Sequence, residues 1–302
     1  MLIIVNGALL TLLVKNNPRF FGKDETSTLK NISHTRVSDS DSFHKQWTNR
    51  IGAVGAVAAY QEFLAVYAHE SPSAQHTHAH LFGDVVYATI GMTGVTICDA
   101  HFNFGCYHEV LGRAIQEDGL AVVPSLNDVC IGTLKENALG CQHGLGHGIV
   151  GYLGYRDMEL VQALGICDTL SGQPRVGGCL GGVFMEYNLQ IMLGTDAKPR
   201  VLEKTRGPHY PCTIIDARFR DACYYEQPQW WQALFSDQWT NRDSRAILFQ
   251  QIGTWCDEVE GATRQQRCYR GIGNNAPAVV AWDKEEMISL CKQMPSHEGE
   301  IA

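Results

Sequence analysis

Ten of the eleven cysteines in this 302-residue chain fall into five local pairs, and that spacing limits the fold more than any other feature. The pairs are Cys98/Cys106, Cys130/Cys141, Cys167/Cys179, Cys212/Cys223 and Cys256/Cys268. Seven residues separate the first two partners, and 10 or 11 separate the others. Three units begin Cys-Asp (Cys98, Cys167, Cys256), and in three the second cysteine precedes a tyrosine (Tyr107, Tyr224, Tyr269). A cytosolic chain this rich in cysteine normally shows the metal spacing Cys-x-x-Cys, and none occurs. Pairs 10 or 11 residues apart suit a disulfide across a helical hairpin in an oxidising compartment. Buried free thiols are the alternative, but scattered core thiols need not repeat at a fixed spacing. Five local disulfides are therefore expected, and with them an extracytoplasmic location: secreted, periplasmic or membrane-anchored facing outward. Cys291 either starts a degenerate sixth unit or pairs outside the scheme.

The segments between the cysteines have helical periodicity. Ile51 to His69 carries apolar residues at near-helical spacing, as do Gln75 to Ile90 and Met158 to Leu170. Ser171-Gly172-Gln173-Pro174 breaks the last of these, and Gly178 to Leu193 opens the next. Alternating Val/Ile/Thr runs with hairpin turns are scarce, so strands are not expected. The predicted fold is all-α, an array or curved bundle of helical hairpins, α-solenoid-like and disulfide-stapled at the hairpin turns. Units of 32 to 45 residues overlap known helical repeats, while their irregular length leaves a compact barrel-like bundle open. Gly140, Gly144, Gly146 and Gly148 crowd one helix start, and Gly177, Gly178, Gly181 and Gly182 the next. Glycine costs about 1 kcal/mol in a helix interior, so these runs point to close approach of a neighbouring backbone or a ligand.

Three segments are expected. Residues 1–14 are apolar apart from Asn6 and read as an export signal or a membrane-anchor remnant, short of the ~20 residues that span a bilayer. Residues 15–42 are a polar lead-in, and 43–302 form a single all-α repeat domain. Membrane attachment through the N-terminus is possible on this reading. A net charge of −8 with no polybasic block argues against a nucleic-acid partner. Gly146 to Gly151 matches Gly-x-Gly-x-x-Gly but lacks the strand that a dinucleotide site requires.

The histidines carry the chemical signal. His76/His80 and His143/His147 have i, i+4 spacing, which puts both rings of each pair on one helix face. His108 follows Cys106 by two positions, as His143 follows Cys141. If the units stack, His76, His80, His108, His143 and His147 converge, and neutral imidazoles favour Cu or Zn. His78 and His101 are further candidates. His108-Glu109 begins like a zinc-protease motif and fails at Gly112. Glu109 and Glu186 are the candidate catalytic carboxylates; Glu186 occupies nearly the place in its unit that His147 does in the one before. Glu226 matches Glu109 in register, third after its cysteine. The aromatic run Tyr224 to Trp231 fits either a sugar- or peptide-binding wall or packing between hairpins.

Three functions remain on these grounds. The first is an exported helical-repeat protein with a histidine-rich metal site, Cu or Zn, which as an enzyme would use bound water or oxygen. The second is a non-catalytic, disulfide-stapled scaffold binding a protein or glycan. The third is metal storage or delivery. The site is expected where the first three units meet the His76/His80 helix, with the later units serving as structural extension.

Overall fold

The structure is a computed structural model that describes residues 40–281 and 283–295; the apolar segment 1–14 and nearly all of the polar lead-in lie outside them. The described residues form twelve α-helices and no strand. They are α1 Ser40–Val54, α2 Ala56–Tyr67, α3 Pro72–Ile90, α4 Gly105–Asp118, α5 Val123–Leu134, α6 Ala138–Leu153, α7 Asp157–Thr169, α8 Gly178–Leu189, α9 Arg220–Leu234, α10 Arg242–Asp257, α11 Ala262–Val279 and α12 Lys284–Lys292. No single helix among them is long and apolar enough to cross a membrane.

One row of helices organises the molecule. α3 packs on α4, α4 on α6, α6 on α8, α8 on α9 and α9 on α11. Every member of this row after α3 carries the second cysteine of a pair: Cys106, Cys141, Cys179, Cys223 and Cys268 in turn. The remaining helices brace it: α1 and α2 against α3, α5 against α6, α7 against α6 and α8, α10 against α9 and α11, and α12 against α10 and α11. At the α3 end, Trp47, Phe63 and Phe82 interlock, with Phe63 and Phe82 stacked at 4.4 Å.

The sulfurs of all five expected pairs lie at bonding distance, with Cα–Cα separations of 5.5 to 5.6 Å, inside the range an unstrained disulfide needs. Three pairs join consecutive helices: Cys130 and Cys141 join α5 to α6, Cys167 and Cys179 join α7 to α8, and Cys256 and Cys268 join α10 to α11. The other two correct the expectation of a hairpin staple in every unit. Cys98 follows a 3₁₀ turn, Gly91–Thr96, and ties that loop to Cys106 on α4. Cys212 lies in a turn and is tied to Cys223 on α9. Pro208 and Pro211 lack the amide that a helix would need before α9, so no hairpin forms there. Cys268 also departs from the expected place at the turn. It stands nearly two turns into α11, whereas Cys141 and Cys179 lie in the first turns of their helices. Cys256 stands one residue before the end of α10, whereas Cys130 stands four before the end of α5, so the partner of Cys256 falls correspondingly deeper in the following helix. Cys291 is the free thiol.

Two helix boundaries differ from expectation. Ile51 to His69 is not one helix, because Gly55 at φ 84° separates α1 from α2. α8 ends at Leu189 rather than Leu193, where Gln190 turns left-handed at φ 55°. The chain then doubles back as a 3₁₀ turn over Ile191–Asp196.

The glycine runs answer to neighbouring backbone. A methyl on Gly182 of α8 would overlap the His143 carbonyl of α6, and one on Gly146 would overlap the Cys179 carbonyl in return. One on Gly148 would stand 3.1 Å from the Gly112 Cα of α4. α4, α6 and α8 therefore pack almost backbone to backbone, which brings side chains on their shared edge within reach of each other. The Gly146–Gly151 run lies inside α6 with no preceding strand, so the dinucleotide context is missing.

Candidate metal centre

Five histidines meet where α3, α4 and α6 adjoin. α3 starts cleanly, with Ser71 capping Ala74 and Pro72 in the first turn, and its register sets His76 above His80, ring centroids 4.8 Å apart. His143 and His147 repeat this on α6 at 4.9 Å. His108 of α4 stands between the pairs, 5.3 and 5.4 Å from His76 and His80, and 5.5 and 4.5 Å from His143 and His147. Two overlapping triads result, His76/His80/His108 and His108/His143/His147, each offering nitrogens that lie within 4.8 Å of one another. His108 and His147 are buried, while His76, His80 and His143 are half-buried.

Three of the five rings are anchored through Nδ1. His76 Nδ1 lies 3.0 Å from the Phe102 carbonyl, which can only accept, so that nitrogen is the donor. His80 Nδ1 lies 3.2 Å from the Glu109 carboxylate, and His147 Nδ1 2.7 Å from that of Glu186. An imidazole that donates through Nδ1 turns its Nε2 lone pair outward, the arrangement by which carboxylates and carbonyls orient metal-binding histidines. His76 and His80 face each other Nε2 to Nε2 at 3.3 Å. With both rings donating through Nδ1, two lone pairs face each other across that gap, where a cation would sit. Two nitrogens on a tetrahedral zinc at about 2.0–2.1 Å stand roughly 3.3 Å apart. His147 Nε2 and both nitrogens of His108 are buried with no hydrogen-bond partner among the described residues. Buried polar atoms are normally satisfied, and leaving one unpaired costs about 1–3 kcal/mol.

Burial also keeps four of these rings neutral. It lowers His76 to about 3 and His143 to about 4, and holds His108 and His147 well below the ordinary histidine value. Neutral imidazole is the form that ligates.

Glu109 and Glu186 stand against histidine rings rather than facing open space. Glu186 is fully buried: Tyr155 Oη donates to its Oε1 at 2.7 Å and the Met192 amide at 2.9 Å, while Oε2 meets His147. The early end of α8 is what brings the Met192 amide back to this carboxylate. Burial raises Glu186 to about 7, against the two donors, which lower it.

A further carboxylate comes from a unit expected to be only structural. Glu226 of α9 is buried, and burial raises it to about 8. It looks at His143 across Gly181: a methyl there would lie 2.8 Å from Glu226 Oε1 and 3.2 Å from His143 Nδ1. Its register with Glu109 was the sequence signal. Strain marks the opposite edge, where Phe102, Asn103 and Phe104 are all left-handed at φ 52° to 64°. That conformation costs about 1–2 kcal/mol per non-glycine residue, and here it delivers the Phe102 carbonyl to His76.

The two extra histidines stay apart. His78 stacks on Tyr67 at 4.2 Å with its Nδ1 2.9 Å from Glu70, and His101 is an exposed partner of Asp99. The aromatic run packs: Trp230 and Trp231 are fully buried, donating to the Arg200 and Pro208 carbonyls. No known family, characterised protein or solved structure matches this chain.

Proposed function

We propose that this chain is a metalloprotein of an oxidising, extracytoplasmic compartment, a row of disulfide-tied helices holding Cu or Zn on His76, His80, His108, His143 and His147. One observation carries the reading: three rings are pinned through Nδ1 by a carbonyl or a carboxylate, so that their Nε2 lone pairs are free for an ion. A donor set of imidazoles alone suits Cu and Zn and excludes the hard cations Mg and Ca. Glu109 and Glu186 act by orienting His80 and His147. Five local disulfides support the compartment.

A catalytic use of the ion is a second reading, supported by Glu226. This carboxyl belongs to no histidine Nδ1 clamp and lies beside His143, where it could move a proton to or from a metal-bound water. Elemental analysis of protein purified without chelator tests the main reading. At least one Cu or Zn per chain is expected, and His143→Ala/His147→Ala should hold less metal than the wild type. Wild-type protein without metal, which also takes up none on dialysis against Zn²⁺ or Cu²⁺, sinks it.

A further inference from the structure

We infer that the centre holds two ions, one on His76, His80 and His108 and the other on His108, His143 and His147, with the His108 ring bridging them. The inference rests on the metal-site reading above and adds the number of ions and their shared ligand. His108 is the one ring with a centroid within 5.5 Å of all four others, and it belongs to both triads. The other four histidines group as two i, i+4 pairs on different helices, α3 and α6, one on each side of α4.

The ring nitrogens point the same way. His76, His80 and His147 each spend Nδ1 on a carbonyl or carboxylate and so have one nitrogen left for an ion. His108 spends neither. Both of its nitrogens are buried and unpartnered among the described residues, although the residue is only 2% exposed. A core histidine holding a single ion would use its second N–H on an acceptor. One that bridges uses both nitrogens on metal and leaves nothing unpaired. Gly144 of α6 faces the ring closely: a methyl there would meet His108 Cα and Cδ2 at 3.4 Å.

The chemistry balances simply. When the first ion binds one nitrogen of His108, the other carries the proton. Binding of the second ion displaces that proton to solvent and makes the ring an imidazolate; no oxidation state changes. At metal–nitrogen distances of about 2.0–2.1 Å, the two ions stand about 6 Å apart across the ring, close enough for unpaired electrons on two Cu²⁺ ions to couple through it.

The test uses the full chain with its disulfides intact, stripped by chelator, dialysed and titrated with Cu²⁺, followed by metal analysis and electron paramagnetic resonance. Two ions per chain are expected. The spin signal should rise with the first equivalent and fall with the second, and adding Zn²⁺ as the second ion should restore it. The His76→Gln/His80→Gln variant, which changes half-buried rings, should bind one Cu²⁺ with full spin. His108→Gln should abolish the coupling. A single ion per wild-type chain overturns the two-ion inference and leaves the metal site standing; no ion overturns both. Two ions with full, uncoupled spin overturn the bridge.

Discussion

At the scale of single residues, the His147–Glu186 contact shows how a buried carboxylate can decide which nitrogen of a ring is free. Glu186 Oε1 accepts from Tyr155 and from the Met192 amide, so it must remain an acceptor. In Glu186→Gln the amide nitrogen is then forced towards His147 Nδ1. The ring can satisfy it only by moving its proton to Nε2, which removes the lone pair meant for the ion. The expected result is metal affinity at the His108/His143/His147 triad weakened about 10–100-fold, with metal at His76/His80 retained and little change in circular dichroism. Isothermal titration reads it, and unchanged affinity at both triads would remove Glu186 from the site. Gly105→Ala makes the reverse case on α3. Its methyl would fall 2.8 Å from the His76 carbonyl and 3.1 Å from His76 Nδ1. With Ala79 Cβ also 2.8 Å away, α3 must shift from α4 there and disturb the His76–Phe102 contact, so affinity at the first triad should drop while the second holds.

At the scale of helices, the cysteines were legible because they act as a ruler. Aligning Cys106 with Cys141 puts His108 on His143, and that register is what the packing of α4 on α6 realises. The glycine runs told of close approach but not of its partner; Gly146 and Gly182 turn out to admit each other's backbone. Other parts of the site had no local pattern to read. Tyr155 reaches Glu186 from the loop before α7, and the Phe102 carbonyl depends on three left-handed residues that no propensity favours. Glu226 had the right register, yet only the stacking of α9 on α8 places it near His143. The ruler also overstated uniformity, since Cys98 and Cys212 close loops onto Cys106 and Cys223, and Cys268 sits deep in its helix. That difference is measurable. Cys130→Ser/Cys141→Ser removes an α5–α6 tie whose closed loop of about a dozen residues stabilises by roughly 3 kcal/mol. It also frees the helix bearing His143 and His147, so metal affinity should fall with the melting temperature. Cys256→Ser/Cys268→Ser should lower the melting temperature by a similar amount and leave metal affinity unchanged, because α10 and α11 contribute no histidine to either triad.

At the scale of the whole molecule, buried rings with lowered pKa values and buried carboxyls with raised ones give the metal-free chain a defined stability profile. His76 and His143 fall from an ordinary 6.5 to about 3 and about 4 on folding. The folded state therefore resists their protonation, and their share of stability is full above pH 6.5 and lost as pH falls towards 4. Glu226 rises from 4.5 to about 8. Its share is full below pH 4.5 and lost as pH rises through 8. Each group changes stability by about 1.4 kcal/mol per pH unit at most inside its own window. Glu186, raised to about 7, loses its share over much of the same window, and His108 and His147 are lowered like the other two rings. Between 4.5 and 6.5 the four histidines outweigh the two carboxyls, and above 6.5 only the carboxyls act. The metal-free protein should therefore be most stable near pH 6.5, as read by denaturant midpoints from pH 4.5 to 8.5. Ions on the histidines change both limbs. Protons compete with metal for the rings, so the acid limb steepens. A nearby divalent charge favours the Glu226 carboxylate, so the alkaline limb flattens. A metal-loaded profile that keeps the alkaline fall of the metal-free chain would show that Glu226 does not feel the ion, and would leave it no part in proton transfer at the centre.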